Sequence, residues 1–381
     1  MSKRIFIIYE KVFKFTNGKF LTEIGGVQRY LYELSKILND EGYDIYVLQF
    51  GKETSNGEIS NIKIEQLLNS KKQYYNGFQY LKNKYKINES DIVIWGADTI
   101  SQKVDHKKTL SIQHGIAFDM YSEDSAFKKM LKHFNLISVY KLYQRYIALK
   151  KSKNSNYMVC VDYNYLNWYR TFAIKHNDEM NNICVIPNFT KIFSFEKIKN
   201  NRLNICFARR FVQKRGVDTM LNVTERILKN RKDLNFYFAG DGPEKIKIIT
   251  LQKIYPDNIY ISKFDQDGTY DFHKKMDIAV VPTLGSEGTS LSLLEAMSCK
   301  CAVVCTNIGG LTNVVIDNFN GKIVNPNEKN IYSAIMELIE NRSKRELLGS
   351  NAYETVSNGF NYDLWKNKWI EVVGQVESDE I

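Results

Sequence analysis

The chain has 381 residues, 44% hydrophobic and 25% charged, which is too apolar for a disordered segment and fits two globular domains at roughly 100–200 residues each. Only 5 Pro and 21 Gly exclude collagen-like and linker-dominated chains, and no apolar run approaches the ~20 residues that cross a bilayer. Basic residues outnumber acidic ones 53 to 43, a net charge of +10 that is modest at this length, so the placement of the cations matters more than their sum.

The first apolar run, Ile5-Phe-Ile-Ile, is too short for a signal-peptide core and is interrupted by Glu10 and Lys11. It reads as a buried strand, with the cytoplasm as the expected compartment. Val27, Tyr30, Leu31, Leu34, Ile37 and Leu38 recur at helical spacing, and Asp44-Ile-Tyr-Val-Leu returns as a strand. Asp91–Trp95, Thr109–Gln113 and Tyr157–Val161 are further strand candidates. Runs that are apolar throughout, separated by helices, indicate parallel strands covered on both faces, hence a doubly wound α/β domain over 1–190.

Within it, 128–153 holds Lys128, Lys129, Lys132, Lys141, Arg145, Lys150, Lys151 and Lys153 with no acidic residue, interleaved with Leu131, Phe134, Leu136, Tyr140, Tyr143 and Tyr146. Such a stretch suits an anionic membrane surface or a plain solvated helix face. No RNP, helix-turn-helix or finger pattern supports a nucleic-acid partner.

A polar stretch at 187–202 reads as a linker. The alternation then restarts with strands at Leu203–Phe207, Leu234–Phe238, Asp277–Val281 and Cys301–Cys305, and helices from about 216, after Pro243 and from about 290. A second α/β domain over 200–358 follows, and two such units leave a ligand cleft at the carboxyl ends of their strands. In 359–381, Trp365, Trp369, Ile370 and Val373 have helical spacing and suit a helix capping either domain. The six cysteines are scattered in apolar runs without a CxxC pair, which fits reduced core residues rather than a zinc site.

Four constellations carry candidate chemistry. In Pro282-Thr-Leu-Gly-Ser-Glu-Gly-Thr-Ser-Leu-Ser-Leu-Leu-Glu-Ala-Met-Ser, a strand ends and a helix opens. Glu287 sits in the loop, Thr289 and Ser290 offer hydroxyl caps, and free N–H groups there suit a diphosphate. Glu295, among Leu293, Leu294, Ala296 and Met297, is costly to bury unless sugar hydroxyls satisfy it. An ordinary capping Glu and a surface Glu would explain the spacing equally well. Ala208-Arg-Arg-Phe-Val-Gln-Lys-Arg-Gly216 places Arg209, Arg210, Lys214 and Arg215 after a strand, either as a diphosphate-binding turn or as a solvated basic loop. Gly25-Gly26 before the first helix and His114-Gly115 after a strand are weaker signals, explained as well by a turn and a satisfied polar residue. Ala239-Gly240-Asp-Gly and Asn307-Ile-Gly-Gly add glycine-permitted turns. Serine-hydrolase elbows, P-loops, HExxH helices and the Rossmann glycine fingerprint are missing from the sequence.

Together these residues resemble the retaining, nucleotide-sugar-dependent GT-B glycosyltransferases with the E-x7-E motif (glycosyltransferase group 1), most closely from Leu203 to Pro326. The resemblance implies two Rossmann-like doubly wound α/β domains facing across a cleft, with the acceptor bound by the first and the nucleotide sugar by the second. It implies that Glu295 holds the ribose hydroxyls, that Glu287 contacts the transferred sugar near the reacting carbon, and that Arg210 binds the diphosphate. Lys214 or Arg215 is the second cation. Gly25, Gly26, Gly240, Gly288, Thr289, Ser290 and Leu291 complete the donor-binding set, and His114 lies near the donor sugar. Lys300 replaces a usual Gly, Asn313 a frequent Glu and Asp162 a common Ser.

The expected reaction moves a hexosyl or N-acetylhexosaminyl group, from UDP most of all, to a hydroxyl of a glycan or lipid-linked acceptor with retention. No metal or cofactor is expected. Bacterial surface polysaccharide synthesis is the expected setting, on the inner membrane face through 128–153. A nucleotide-sugar epimerase or hydrolase of the same fold and a non-catalytic sugar-nucleotide binding protein are the alternatives.

Overall fold

The computed structural model describes residues 3–22, 25–116, 130–131, 133–172, 182–198, 201–263 and 268–378. The chain divides into two compact units, Met1–His114 with Phe127–Pro187 and Trp365–Ile381, and Gly115–Ala126 with Asn188–Leu364.

The first unit holds β1 (Arg4–Ile8), a hairpin of β2 (Phe13–Thr16) and β3 (Lys19–Thr22), α1 (Gly26–Asp40), β4 (Asp44–Gly51), β5 (Ser55–Ile59), β6 (Ile62–Leu68), α2 (Gln73–Tyr85), β7 (Ile92–Trp95), β8 (Thr109–Gln113), α3 (Ile137–Ser152), β9 (Tyr157–Cys160), α4 (Tyr163–Arg170) and β10 (Ile183–Val185). Its main sheet runs β10-β9-β8-β7-β1-β4-β6-β5, with every pairing parallel except β5 against β6. Strand alternation turns Phe6, Ile8, Val93 and Trp95 into one cluster with Phe78 and Leu81 of α2, and sends Ile5 and Ile7 to the other face. Ile5, Phe6, Ile7 and Ile8 are all fully buried on β1, which is why the run is apolar throughout. The β2–β3 hairpin turns on Asn17-Gly18, both at positive φ (50° and 72°), the conformation that an Asn-Gly pair favours.

The second unit holds β11 (Leu203–Ala208), α5 (Val217–Leu228), β12 (Leu234–Ala239), α6 (Lys245–Ile254), β13 (Ile259–Ser262), α7 (Gly268–His273), β14 (Ile278–Val281), α8 (Leu291–Ser298), β15 (Ala302–Thr306), β16 (Lys322–Val324), α9 (Glu328–Glu340) and α10 (Arg342–Gly359). Its six strands, ordered β13-β12-β11-β14-β15-β16, are all parallel. Ile205, Phe207, Ile278, Val280, Ala302 and Val304 face α5, α6 and α9; Cys206, Ala279, Val281, Val303 and Cys305 face α8 and α10. This is the doubly wound arrangement expected, with helices on both faces.

α11 (Tyr362–Ser378) crosses the boundary, and from Trp365 onward it belongs to the first unit. There Trp369 Nε1 donates to Tyr30 Oη at 2.8 Å, and Glu377 accepts from Tyr43 Oη at 3.0 Å. The boundaries fall at 187/188 and 364/365, not at 190/200 and 358/359. Phe189 and Thr190 are buried and Thr190 N donates to Phe360 O at 2.8 Å, so the start of the expected linker is packed chain. Five of the six free cysteines are buried and Cys184 is half-buried; burial raises the Cys160 and Cys206 thiols well above their ordinary range.

Candidate functional site

In the second unit the chain builds β11, β12 and β13 outward, then returns to lay β14 on the free side of β11. The strand order reverses there, so the loops leaving β11 and β14 diverge and open a crevice at their carboxyl ends. The loop after β11 carries Arg209, Arg210, Lys214 and Arg215, and the loop after β14 carries Thr283 and Glu287.

The two loops are locked by an ion cluster. Glu287 is 8% exposed, and its Oε2 accepts from Arg209 Nη2 at 2.5 Å, from Thr283 Oγ1 at 2.9 Å and from Arg215 Nη1. Arg209 also donates to Thr283 Oγ1. Oε1 accepts no hydrogen bond among the described residues. Burial alone would raise the Glu287 pKa, but the charges of Arg209 and Arg215 overcome it and hold the carboxyl below its ordinary value. Ser286, at φ 52°, supplies the left-handed turn just before Glu287.

Neighbouring loops hold this one in place through the backbone. Leu284 N donates to Lys214 O at 2.9 Å, Thr306 Oγ1 to Thr283 O at 2.6 Å, and Gly310 N to Glu287 O at 2.9 Å. A Cβ on Gly309 would lie 2.1 Å from Glu287 O, and one on Gly310 2.4 Å from Gly288 C. Gly240 (φ 152°) lies against Arg209 in the same way, with 2.1 Å from an added Cβ to the carbonyl oxygen. The glycine turns noted in the sequence thus act by close packing.

Several expectations change. The four cations do not face one way: Arg209 is buried against Glu287, Arg210 is exposed with its guanidinium unpartnered among the described residues, and Lys214 and Arg215 are half-buried. Ser290 is the N-cap residue of α8 but its hydroxyl caps nothing; it pairs with Ser292 Oγ at 3.2 Å. No N–H at the start of α8 is therefore taken by that side chain. Glu295 is half-buried rather than buried, because Leu293, Leu294, Ala296 and Met297 take the core side of the helix. Gly288 and Thr289 are buried in the loop, and Leu291 opens the helix half-buried. Arg209, one of the four cations of the candidate turn, thus serves Glu287 instead, and Thr283, which carries no signal in the sequence, joins it there.

In the first unit, Gly25 is the extended N-cap of α1 and its carbonyl accepts from Arg29 N at 2.9 Å, with Gly26 the first helical residue. His114 Nε2 lies 2.9 Å from the carbonyl of Gly96, which can only accept, so this nitrogen carries the proton. Burial lowers the pKa to about 4, so the ring is neutral and Nδ1 is an acceptor. In this tautomer the free ring nitrogen of His114 is an acceptor and not a donor. Asp162, at the position where Ser is common in the family, accepts from Asn164 N at 2.8 Å and caps α4. Lys300, in place of Gly, keeps the left-handed conformation (φ 55°) and lies over the Tyr353 ring at 4.9 Å.

Two doubly wound parallel-sheet units, the second with a cationic turn and a buried Glu at its switch point, make up the GT-B fold. Within residues 188–355 the chain matches the family Glycosyl transferases group 1, which supports its reading as a glycosyltransferase of that group. It is 27% identical to an uncharacterized glycosyltransferase of Methanocaldococcus jannaschii over 389 residues, 91% of this chain and 93% of that protein. Among solved structures, sucrose-phosphate synthase from Thermosynechococcus elongatus superposes with a TM-score of 0.77 at 16% identity, covering 99% of this chain and 100% of that one. Staphylococcus aureus TarM, in complex with fondaparinux, alpha-GlcNAc-glycerol and UDP, superposes with a TM-score of 0.71 at 16% identity, covering 98% and 100%.

Proposed function

We propose that this glycosyltransferase moves a hexosyl or N-acetylhexosaminyl group from UDP to a hydroxyl of a glycan or lipid-linked acceptor, with retention and without a metal. One observation carries the reading. Arg209, Arg215 and Thr283 all converge on one oxygen of Glu287, leaving Oε1 to accept from a sugar hydroxyl, while in the same turn the Arg210 guanidinium has no partner among the described residues. Guanidinium groups beside the leaving diphosphate stabilise the charge that develops on it. The start of α8, whose N–H groups the Ser290 hydroxyl leaves uncapped, adds its positive end. Glu295, on the open side of α8, serves the ribose, and Arg215 is the second diphosphate cation. The UDP bound to TarM supports uridine as the base.

α3 supports docking on an anionic membrane, with surface polysaccharide or glycolipid synthesis at the inner face as the setting. Of its 16 residues only Ser152 is buried, and Val139, Leu142, Tyr143 and Tyr146 are 58–62% exposed alongside Lys141, Arg145, Lys150 and Lys151. Lys128, Lys129 and Lys132 lie outside the described residues. No described helix is long and apolar enough to cross a membrane.

The test is UDP release from a panel of UDP-hexoses and UDP-N-acetylhexosamines, with and without glycan and lipid-linked acceptors. Release that requires acceptor, persists in EDTA and yields the donor's anomeric configuration is expected. Donor consumption without acceptor would instead identify an epimerase or hydrolase, and donor binding without turnover a binding protein. Co-sedimentation with phosphatidylglycerol vesicles at low salt is expected, and its absence would remove the docking role of α3.

A further inference from the structure

Glu287 Oε2 receives three donors, one more than its two in-plane lone pairs accept well. The donors are not equivalent. Arg209 has a 5% exposed side chain and forks over both Glu287 and Thr283, so withdrawing it would strand a buried cation and a buried carboxylate together. Arg215 has a 23% exposed side chain and, apart from Glu287, makes one long contact, to Ser286 O at 3.4 Å. Withdrawing Arg215 leaves Glu287 neutralised by Arg209 and returns Arg215 toward solvent. The cluster therefore holds one cation beyond what its carboxylate needs, on its accessible side, in the same short turn as the unpartnered Arg210.

From this the geometry points to Arg215 as a two-position cation: it rests on Glu287 in the free enzyme and moves to the sugar-proximal phosphate when the nucleotide diphosphate enters, releasing Glu287 to grip the sugar. The inference rests on the UDP-sugar reading and adds a coupling within that site. A phosphate oxygen carries more charge than a carboxylate already shared with Arg209 and matches the guanidinium fork, so the exchange runs toward the diphosphate. Until then two arginines share the charge of the carboxylate, so its open Oε1 accepts from a sugar hydroxyl more weakly than it does once Arg215 has left. Diphosphate recognition thus strengthens sugar recognition, and no buried charge is left unpaired at any stage.

The experiment measures UDP and UMP binding by calorimetry to the full chain, to Glu287→Gln, to Arg215→Met and to the double variant, with a crystal structure of the wild type with UDP. Glu287→Gln frees Arg215 and is expected to tighten UDP about tenfold, the worth of one charge-assisted bond. UMP, which lacks the second phosphate, is expected to stay within about twofold, and the gain should vanish when Arg215→Met is added. An equal gain for UMP, or a gain that survives Arg215→Met, would overturn the exchange in favour of a general field effect. Should Glu287→Gln fail to fold, the wild-type complex decides: Arg215 on the second phosphate and beyond 4 Å from Glu287 is expected, and Arg215 still on Glu287 refutes it. UDP binding with Arg215 unmoved defeats this inference alone, whereas no UDP binding to the wild type defeats the uridine-nucleotide reading as well.

Discussion

Arg209 and Arg210 are neighbours in sequence and opposites in environment, the first buried on Glu287 and the second exposed. Arg209→Met leaves the Glu287 carboxylate with a single mobile cation, so unfolding free energy is expected to fall by about 3 kcal/mol, read by urea denaturation. Arg210→Ala is expected to leave the melting temperature within a degree or two while lowering kcat by roughly a hundredfold or more. If the two variants exchanged phenotypes, the roles would be reversed. The sequence shows that this turn is cationic but not which arginine turns inward, because successive side chains at a strand end point to opposite sides and the two residue types are identical. Thr283 stayed hidden for a similar reason: a hydroxyl after a strand has no signature until its partners are placed. Glu287 was legible because its motif carries it. In the first unit, Asp98 makes a pH-dependent contribution. Burial raises its pKa to about 6, so between about pH 4 and 6 the folded chain binds more protons than the unfolded one. Stability from this group is present in acid and is lost as pH rises through 6. Asp98→Asn is therefore expected to raise the melting temperature at pH 7.5, with little gain at pH 4; a loss at pH 7.5 would refute the assignment.

At the level of elements, the loops around Glu287 are held by backbone packing that tolerates no side chain. Gly310→Ala would place a Cβ 2.4 Å from Gly288 C and 2.5 Å from Thr289 N, so the whole Glu287 loop must shift. Turnover is expected to drop at least about tenfold, since displacement of a site group by an ångström is costly. Gly374 in α11 is the contrast: a Cβ there meets nothing within 4 Å, and its φ is not in the left-handed region. Gly374→Ala is expected to stabilise the chain by about 0.5–1 kcal/mol, through helix propensity alone, with turnover unchanged. The same contrast explains which elements the sequence displayed. β1, β7, β14 and β15 are apolar almost throughout because both faces are covered, whereas β8 buries Thr109, Ser111 and Gln113 beside Leu110 and Ile112. β5, with the exposed Asn56, Gly57 and Glu58, and β3, exposed at Lys19, Leu21 and Thr22, lack that pattern because each has a face in solvent. α10 was missed because its apolar positions are few and its exposed charges many, while its buried Gly349 and Ala352 read as loop or neutral residues.

On the scale of the molecule, the first unit is assembled from three separated stretches of chain, and its last piece arrives only after the second unit is complete. That piece carries Trp369, whose indole N–H is spent on the hydroxyl of Tyr30, both side chains being at most 1% exposed. Tyr30 in turn meets the His114 ring edge-on at 5.2 Å, so the closing helix braces the side chain beside the Gly96 carbonyl. Trp369→Phe removes the donor, leaves a buried hydroxyl without it and opens a small void, a loss of about 1–3 kcal/mol confined to the first unit. The nucleotide groups proposed above all lie in the second unit, which has its own core on both faces of its own sheet. UDP affinity by calorimetry is therefore expected to stay within about twofold of wild type while the melting temperature falls by several degrees and kcat declines with the mispositioned His114. A UDP affinity that fell in step with stability would place the energetic home of α11 in the second unit instead, since only a shared folding unit could carry the damage to the nucleotide site.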